Sequence, residues 1–344
     1  MSFRISTNLF HSQGYSSIQK HQQEVLDTQV KLSTGKRVNA PSDDPVAMTQ
    51  IHSLNRTMNT IDQYAKNGEY AKSQLVLEET SINDTIDSLQ RARELGIQML
   101  NGTYTDSDKL TTAAEIDQII LQVKNQMNYT NSDGEKLFAG NRVFADNAFI
   151  EDPNNSGYYT YIGSPNADDL ATGGVDEQDV DALFGSRFIQ VGFDADNIFI
   201  PNDMGDPSQV RITDNGAKVF TADSSRNAAN LDPTTGVDNN ILNVLVNMSN
   251  LLKGQASNAI AVENGDPADL PPDLEETIEM MDNSIENLSL VRAEIGGRQN
   301  RIESQYNAGE SFKIALEERR QTLEDMDIVA VSYTHLTLPT TRLV

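Results

Sequence analysis

The sequence predicts a mainly α-helical chain: a long antiparallel coiled-coil or helical bundle built from both chain ends, with a small β-rich domain inserted between them. Three observations predict it. Apolar residues recur at heptad spacing between positions 45 and 101. Spacings of three and four return from Ile241 and again from Leu274. Between these stretches the chain changes to short runs broken by Gly, Pro, Asn and Asp clusters, and residues 138–220 hold eleven of its 21 Phe and Tyr residues.

The first element is a polar helical run that ends in "STGKRVNAPSDDPVAM", residues 33–48. Gly-Lys here superficially resembles a phosphate-binding loop, but that loop needs glycine where Val30 stands and Ser or Thr where Arg37 stands. A joint between two helices explains more residues. Gly35 can take the left-handed conformation that closes a helix, and Lys36 and Arg37 suit the negative end of its dipole. Pro41 drives Ala40 to extended backbone, Asp44 is a good N-cap, and Pro45 fits the first helical position.

The second helix carries one seam through Leu54, Ile61, Gly68, Leu75, Ile82, Leu89 and Gly96. A second seam runs through Met58, Ala65, Lys72, Glu79, Ile86, Arg93 and Leu100, and its three charged members weaken it. Asn101-Gly102 breaks the pattern. A third helix follows, with Asp106 or Ser107 as cap and Leu110, Ala113, Ile116, Ile120, Val123 and Met127 on one face. "NSDGEKLFAGN" (131–141) then supplies turn residues around Leu137-Phe138.

In the insertion, strands are expected within 158–163, 187–193, 197–200 and 210–213, with a helical turn or two at 175–183. The helical period resumes at Ile241, Leu245, Met248 and Leu252. After the loop "ENGDPADLPPD" (263–273), Asp273 or Pro272 opens a last helix. Its stripe is Leu274, Ile278, Met281, Ile285, Leu288, Ile295, Ile302 and Tyr306, continued imperfectly by Phe312, Leu316 and Leu323. Within it, Gly296-Gly297 costs helix stability, and close approach of a neighbouring backbone is the expected compensation. Antiparallel packing gives each apolar stripe a partner. The final residues, "VSYTHLTLPTTRLV" (331–344), keep no helical face and are set aside as a non-native tail.

Composition excludes several classes. There is no Cys, so disulfides, thiol catalysis and thiolate metal sites are unavailable. A formal net charge of −25 opposes binding to phosphate backbones, so no nucleic-acid partner is expected. The charge is uneven: residues 1–45 hold five basic and four acidic residues, whereas 138–237 hold five basic and sixteen acidic ones. Residues 1–22 contain no apolar run of the length a signal peptide needs, and nothing approaches a membrane span. Any export therefore uses a route that does not read a cleaved signal, and no membrane insertion is expected. His11 and His21 are ten apart, too far to share a metal on one helical face. "DADNIFIPNDMGD" (194–206) lacks the acidic spacing, central glycine and closing Glu of a calcium loop. No nucleophile–base pair emerges, so neither enzyme nor cofactor is expected. A secreted calcium- or glycan-binding module in the insertion is the alternative from a different class.

Four stretches together carry a resemblance: "MSFRISTNLF" at the start, "QVKLSTGKRVNAPSDDPVAM" (29–48), "NSDGEKLFAGN" (131–141) and "RAEIGGRQNRIE" (292–303). They resemble, in the same order, the hook-filament junction family of bacterial flagella (hook-associated protein 3), a branch of the flagellin-like superfamily. Flagellin itself resembles the chain at both ends, but the two prolines of the joint are more like the junction family. The resemblance covers 1–141 and about 240–330; the insertion is similar only in kind.

The resemblance implies a non-enzymatic structural subunit that is secreted to the extracellular flagellum. Its partners would be copies of itself in a ring, the adjoining hook-associated protein, flagellin, an export chaperone and the type III export apparatus. It implies an N-terminal axial arm and joint (1–45), a bundle domain (46–137 with 238–330) and an outward-facing β-rich domain (138–237). Carried over by residue, Ile5, Leu9, Phe10, Ile18, Val25 and Leu32 are the self-assembly contacts of the arm. Gly35, Lys36, Arg37, Pro41, Asp44 and Pro45 form the joint. Leu54, Ile61, Leu75, Ile82, Leu89, Ile278, Ile285, Leu288, Ile295 and Ile302 line the bundle seam. The family continues beyond the equivalent of Ala330 into a second helix that pairs with the arm, and the tail here departs from that pattern.

Overall fold

The computed structural model describes residues 7–101, 103–162, 186–193, 208–222, 237–260 and 271–327, with the side chains of 7–10 left aside. The described elements are α1 (Thr7–Thr34), α2 (Pro45–Met99), α3 (Asp106–Met127), β1 (Phe149–Glu151), β2 (Tyr159–Tyr161), β3 (Phe188–Gln190) and β4 (Gln209–Arg211). They continue with α4 (Gly216–Val219), α5 (Ile241–Leu252) and α6 (Leu274–Glu324). The chain divides into two compact units, one of residues 1–63 with 307–344 and the other of 64–306.

Among the described residues the larger unit is built on four helices longer than one turn. Residues from 64 in α2 run antiparallel to α3, with Ser81 Oγ donating to the Gln126 carbonyl at 2.9 Å and Arg91 paired with Glu115 at 2.8 Å. They also run antiparallel to α6: Gly68 lies against Ile302, Asn83 accepts from Arg292 at 2.9 Å, and Arg93 pairs with Asp282. The fourth helix, α5, packs on α3 through Ser249 and Lys253, both of which donate to Asp117.

The first predicted seam is buried at every position from Leu54 to Gly96. Of the second, Met58 and Ile86 are buried, but Lys72 and Leu100 are exposed, and Ala65, Glu79 and Arg93 only half-buried. The buried row instead passes through Ala71, Glu78, Thr85, Ala92 and Met99. In this region α2 is flanked by α3 and α6, so its buried face is wider than a two-stranded coiled-coil seam. Tyr306 and Phe312, placed in the α6 stripe by spacing, are exposed, and Ile285 is half-buried; Ile278, Leu288, Ile295 and Ile302 are buried.

Local signals set the helix starts. At α3 the cap is Thr105 rather than Asp106 or Ser107: its side chain accepts from the Asp108 amide, while Asp108 accepts from the Thr105 amide at 3.0 Å. This reciprocal box satisfies two otherwise orphan donors. Asp273 caps α6, accepting from the Glu276 amide at 2.8 Å.

The insertion supplies two antiparallel pairs, β1–β2 with Phe149 opposite Tyr161 and β3–β4 with Phe188 opposite Arg211. Its aromatics explain their concentration in the sequence. Phe138, Phe149, Phe220 and Tyr161 interlock, with ring centroids 4.7 Å apart for Phe138–Phe220 and 5.3 Å for Phe149–Tyr161. They belong to the same core as Leu75, Leu89, Ile116 and Leu245. Beneath them α5 is buried almost all round, and its Asn243 and Asn247 are satisfied by the Tyr159 backbone and the Tyr158 hydroxyl. β1 and α4 were not anticipated; both are single-turn or three-residue elements too short for periodicity to register. The expected strand at 197–200, the turn at 175–183, the acidic loop 194–206 and the tail 331–344 lie outside the described residues.

Candidate assembly site

In the smaller unit, α1 is a 28-residue helix with no acidic residue in its first turn. From His11 to Thr34 every residue is exposed except Thr28 and Lys31, which are half-buried. Ile18, Val25 and Leu32 are 58%, 59% and 52% exposed, and Tyr15, Leu26 and Val30 are exposed alongside them. Ile18, Val25 and Leu32 are seven apart, so they share one helical face. Of the other arm residues, Ile5 and the side chains of Leu9 and Phe10 lie outside the described residues.

α1 ends at a joint that the chain closes with backbone hydrogen bonds. Gly35 has φ +69°, the left-handed C-terminal conformation. Ala40 and Asp43 form a turn around Pro41, with the Asp43 amide donating to the Ala40 carbonyl at 3.0 Å. Asp43 in turn accepts from the Asn39 and Ala40 amides, both at 3.0 Å. Asp44 accepts from the Ala47 amide at 3.0 Å and so caps α2, with Pro45 in its first turn. These backbone donors hold both carboxyls below the usual carboxylate range: for Asp43 chiefly the Ala40 amide, for Asp44 chiefly the Ala47 amide, followed by Arg37.

The joint also has a partner that the sequence pattern did not reveal. Residues 35–38 pair with the end of α6 in a short antiparallel clasp. The Arg37 amide donates to the Glu324 carbonyl at 2.7 Å, and the Met326 amide donates back to the Gly35 carbonyl at 3.0 Å. Lys36 reaches the Glu324 carboxylate, and Arg37 Nη2 donates to the Leu323 carbonyl at 2.9 Å. Arg37 also pairs with Asp44 at 3.2 Å. Beneath the clasp Val38, Ala47 and Ile51 are buried against Met48 and Leu323. Further along, Leu54, Met58 and Ile61 pack on Leu316, and Gly309 lies against Ile61. Lys313 and Arg320 of α6 add polar contacts to Asp62 and Asn55.

The six joint residues are therefore brought together, and Ile51 of α2 is buried in one small cluster with Val38 beside them. No long-range pairing could be deduced from residues 33–48 alone. The only hint was the charge pattern, two cations at 36 and 37 against the Glu-rich "EERRQTLED" of 317–325. Among the described residues, no group of three His, Asp or Glu residues is placed to hold a metal ion. No helix among them is long and apolar enough to cross a membrane.

Residues 5–142 match the bacterial flagellin N-terminal helical region. Flagellar hook-associated protein 3 of Escherichia coli (strain K12) is 27% identical over 324 residues, which cover 94% of this chain and 89% of that protein. The corresponding protein of Salmonella typhimurium is 34% identical over 142 residues, 41% of this chain and 45% of that protein. The solved structure of hook-associated protein 3 from Legionella pneumophila shares the fold, with a TM-score of 0.56 at 15% identity, over 79% of this chain and 98% of that one. The chain is thus similar to flagellar hook-associated protein 3, and the likeness first visible in four short motifs extends over 94% of its length.

Proposed function

We propose that this chain is a structural, non-enzymatic subunit of the bacterial flagellum that forms the junction layer between hook and filament. The observation that carries the assembly part of this reading is α1: an apolar face at Ile18, Val25 and Leu32 left in solvent on a helix whose C-terminal end is tied down by the clasp. A single helix of this kind is marginal in water, so it requires a partner to contribute. The near-neutral charge of residues 1–45 suits close packing of many copies, whereas the acidic insertion suits the wet outside.

In this reading residues 1–45 are the axial arm and joint, with Ile5, Leu9, Phe10, Ile18, Val25 and Leu32 as the inner contacts. Residues 46–137 with 238–330 form the bundle domain, 138–237 the outer domain, and 331–344 a non-native tail. The chain associates with itself in a ring, stacks between a hook-associated protein and flagellin, and leaves the cell through the type III apparatus with an export chaperone. Flagellins are the more distant relatives: one from Clostridium tyrobutyricum is 22% identical over 95% of this chain.

The test places the chain in a motile bacterium deprived of its own junction subunit, with immunogold labelling of the hook tips. The chain is expected at the hook tips, bearing few or short filaments because of its altered tail. A variant carrying Ile18→Asp, Val25→Asp and Leu32→Asp is expected in the medium instead, since exposed positions leave folding intact. Absence of the unaltered chain from hook tips, or continued tip labelling by the triple variant, refutes the arm's role. Label running along whole filaments identifies a filament subunit.

A further inference from the structure

The larger unit encloses a group of ionisable side chains that assembly does not use. Glu78 of α2 is 1% exposed, Asp214, just after β4, 3%, and Arg298 of α6 7%. Arg298 Nη2 pairs with Asp214 Oδ2 at 2.7 Å, and Arg211 Nε approaches Asp214 Oδ1 at 2.6 Å. Arg211 also reaches Glu294 at 3.4 Å, at the edge of the cluster. Arg298 Nη1 is 3.9 Å from Glu78 Oε2, beyond hydrogen-bond range, and neither oxygen of Glu78 meets a donor.

The charges decide what Glu78 is. Among the described residues two guanidinium groups already face two carboxylates, Asp214 and Glu294, and the four balance. An ionised Glu78 would add an unmatched negative charge in a site closed to water, beside a second carboxylate and without a hydrogen bond. A buried charge without partners costs several kcal/mol and takes a proton instead. As the neutral acid, Glu78 gains a donor, and the neighbouring Asp214 carboxylate keeps one oxygen, Oδ1, without a hydrogen-bond donor. We propose that Glu78 is built into the fold as a carboxylic acid whose proton bridges to Asp214, a latch that joins the inserted β3–β4 sheet to α2 and α6 and opens when that proton is removed.

The latch sits where the insertion is held to the helices. Arg298 and Arg301 donate to the carbonyls of Arg211 and Gln209 on β4, at 3.3 and 3.4 Å. Asn67 of α2 donates to the Gln190 carbonyl of β3 at 2.8 Å. Among the described residues the charged groups facing Glu78 are Asp214 and Arg211 from the insertion and Arg298 from α6, with Glu294 behind Arg211. Burial, and then the Asp214 charge, push the Glu78 carboxyl well above its ordinary 4.5. Burial works in the same direction on Asp214, but Arg298 and then Arg211 outweigh it and hold that group below 3.8. Folding thus takes up a proton at Glu78. The stability this provides is complete below about pH 4.5 and is lost as pH rises through the raised folded value.

The experiment compares urea unfolding of the full chain and its Glu78→Gln variant at intervals from pH 5 to 8.5. Glutamine keeps a donor for Asp214 and cannot ionise, so the variant should match the parent at pH 5 and gain on it at higher pH. The ratio of their unfolding constants should grow by up to about tenfold per pH unit, one proton's worth, until the folded value is passed. A ratio independent of pH, or a variant weakened most at the highest pH, overturns the proposal. Infrared spectra provide the second measurement, needed if the variant does not fold. At neutral pH the parent should show the carbonyl band of a protonated carboxyl, which bleaches on alkaline titration together with faster amide exchange in 208–215. Its absence at neutral pH overturns the latch regardless of the variant.

Discussion

Gly35 and Asp44 show what a single residue contributes to the joint. Gly35 stands at φ +69° with nothing within 4 Å of where a Cβ would lie, so its requirement is conformational, not steric. Placing an L side chain in the left-handed region costs roughly 1–2 kcal/mol. Gly35→Ala should therefore lower stability by about 1 kcal/mol in urea unfolding, and Gly35→Asn by less, because Asn tolerates this region. An unchanged midpoint for the alanine variant would mean that the turn is free to relax. Both residues were legible in the sequence because their effects are local: a left-handed stop and an Asx cap act within four residues. The Glu324 carbonyl that accepts from Arg37 was not legible, since a backbone acceptor 287 positions away leaves no mark on the side chains near it.

At the scale of the element, the same contrast separates the two seams of α2. Leu54 to Gly96 could be read because apolar residues occupied them, or glycines that admit Ile302 at position 68 and Met248 and Ile278 at position 96. The row through Ala71, Glu78, Thr85, Ala92 and Met99 was hidden because two of its five members are polar and two are alanines, which leaves little apolar periodicity to read. Asn243 and Asn247 on α5 were hidden because both are polar, made acceptable by partners that only the folded chain supplies. At Gly296-Gly297 the close approach expected of a neighbouring backbone does not occur among the described residues. None of their atoms lies within 4 Å of a Cβ at either position, so no close approach there compensates the glycines. Gly297→Ala should accordingly raise stability by about 0.5–1 kcal/mol through helix propensity alone. Thermal or urea unfolding of the isolated chain measures it, and a destabilised variant would show that the helix is closely approached there after all.

For the molecule as a whole, the two compact units have different sources of stability. The larger closes helices and insertion over one continuous core, from Ala71 on α2 to Ile302 on α6. The smaller has two minor clusters, under the clasp and along Leu54 to Ile61. Neither cluster includes a residue of α1, and the described part of that helix presents its apolar side chains to solvent. Among the described residues the packing of α1 thus adds little, and intrinsic propensity with the C-terminal stop at Gly35 is too little to hold 28 residues rigidly against fraying. Amide exchange of dilute, monomeric protein should show weak protection across α1, rising only near the clasp, and strong protection in α2 and α6. Raising the concentration until copies associate should protect α1 selectively, along the turns that carry Ile18, Val25 and Leu32. If α1 is as protected as α2 in the monomer, its partner lies within the same chain, and the arm is a closed structural element rather than a surface held open for assembly.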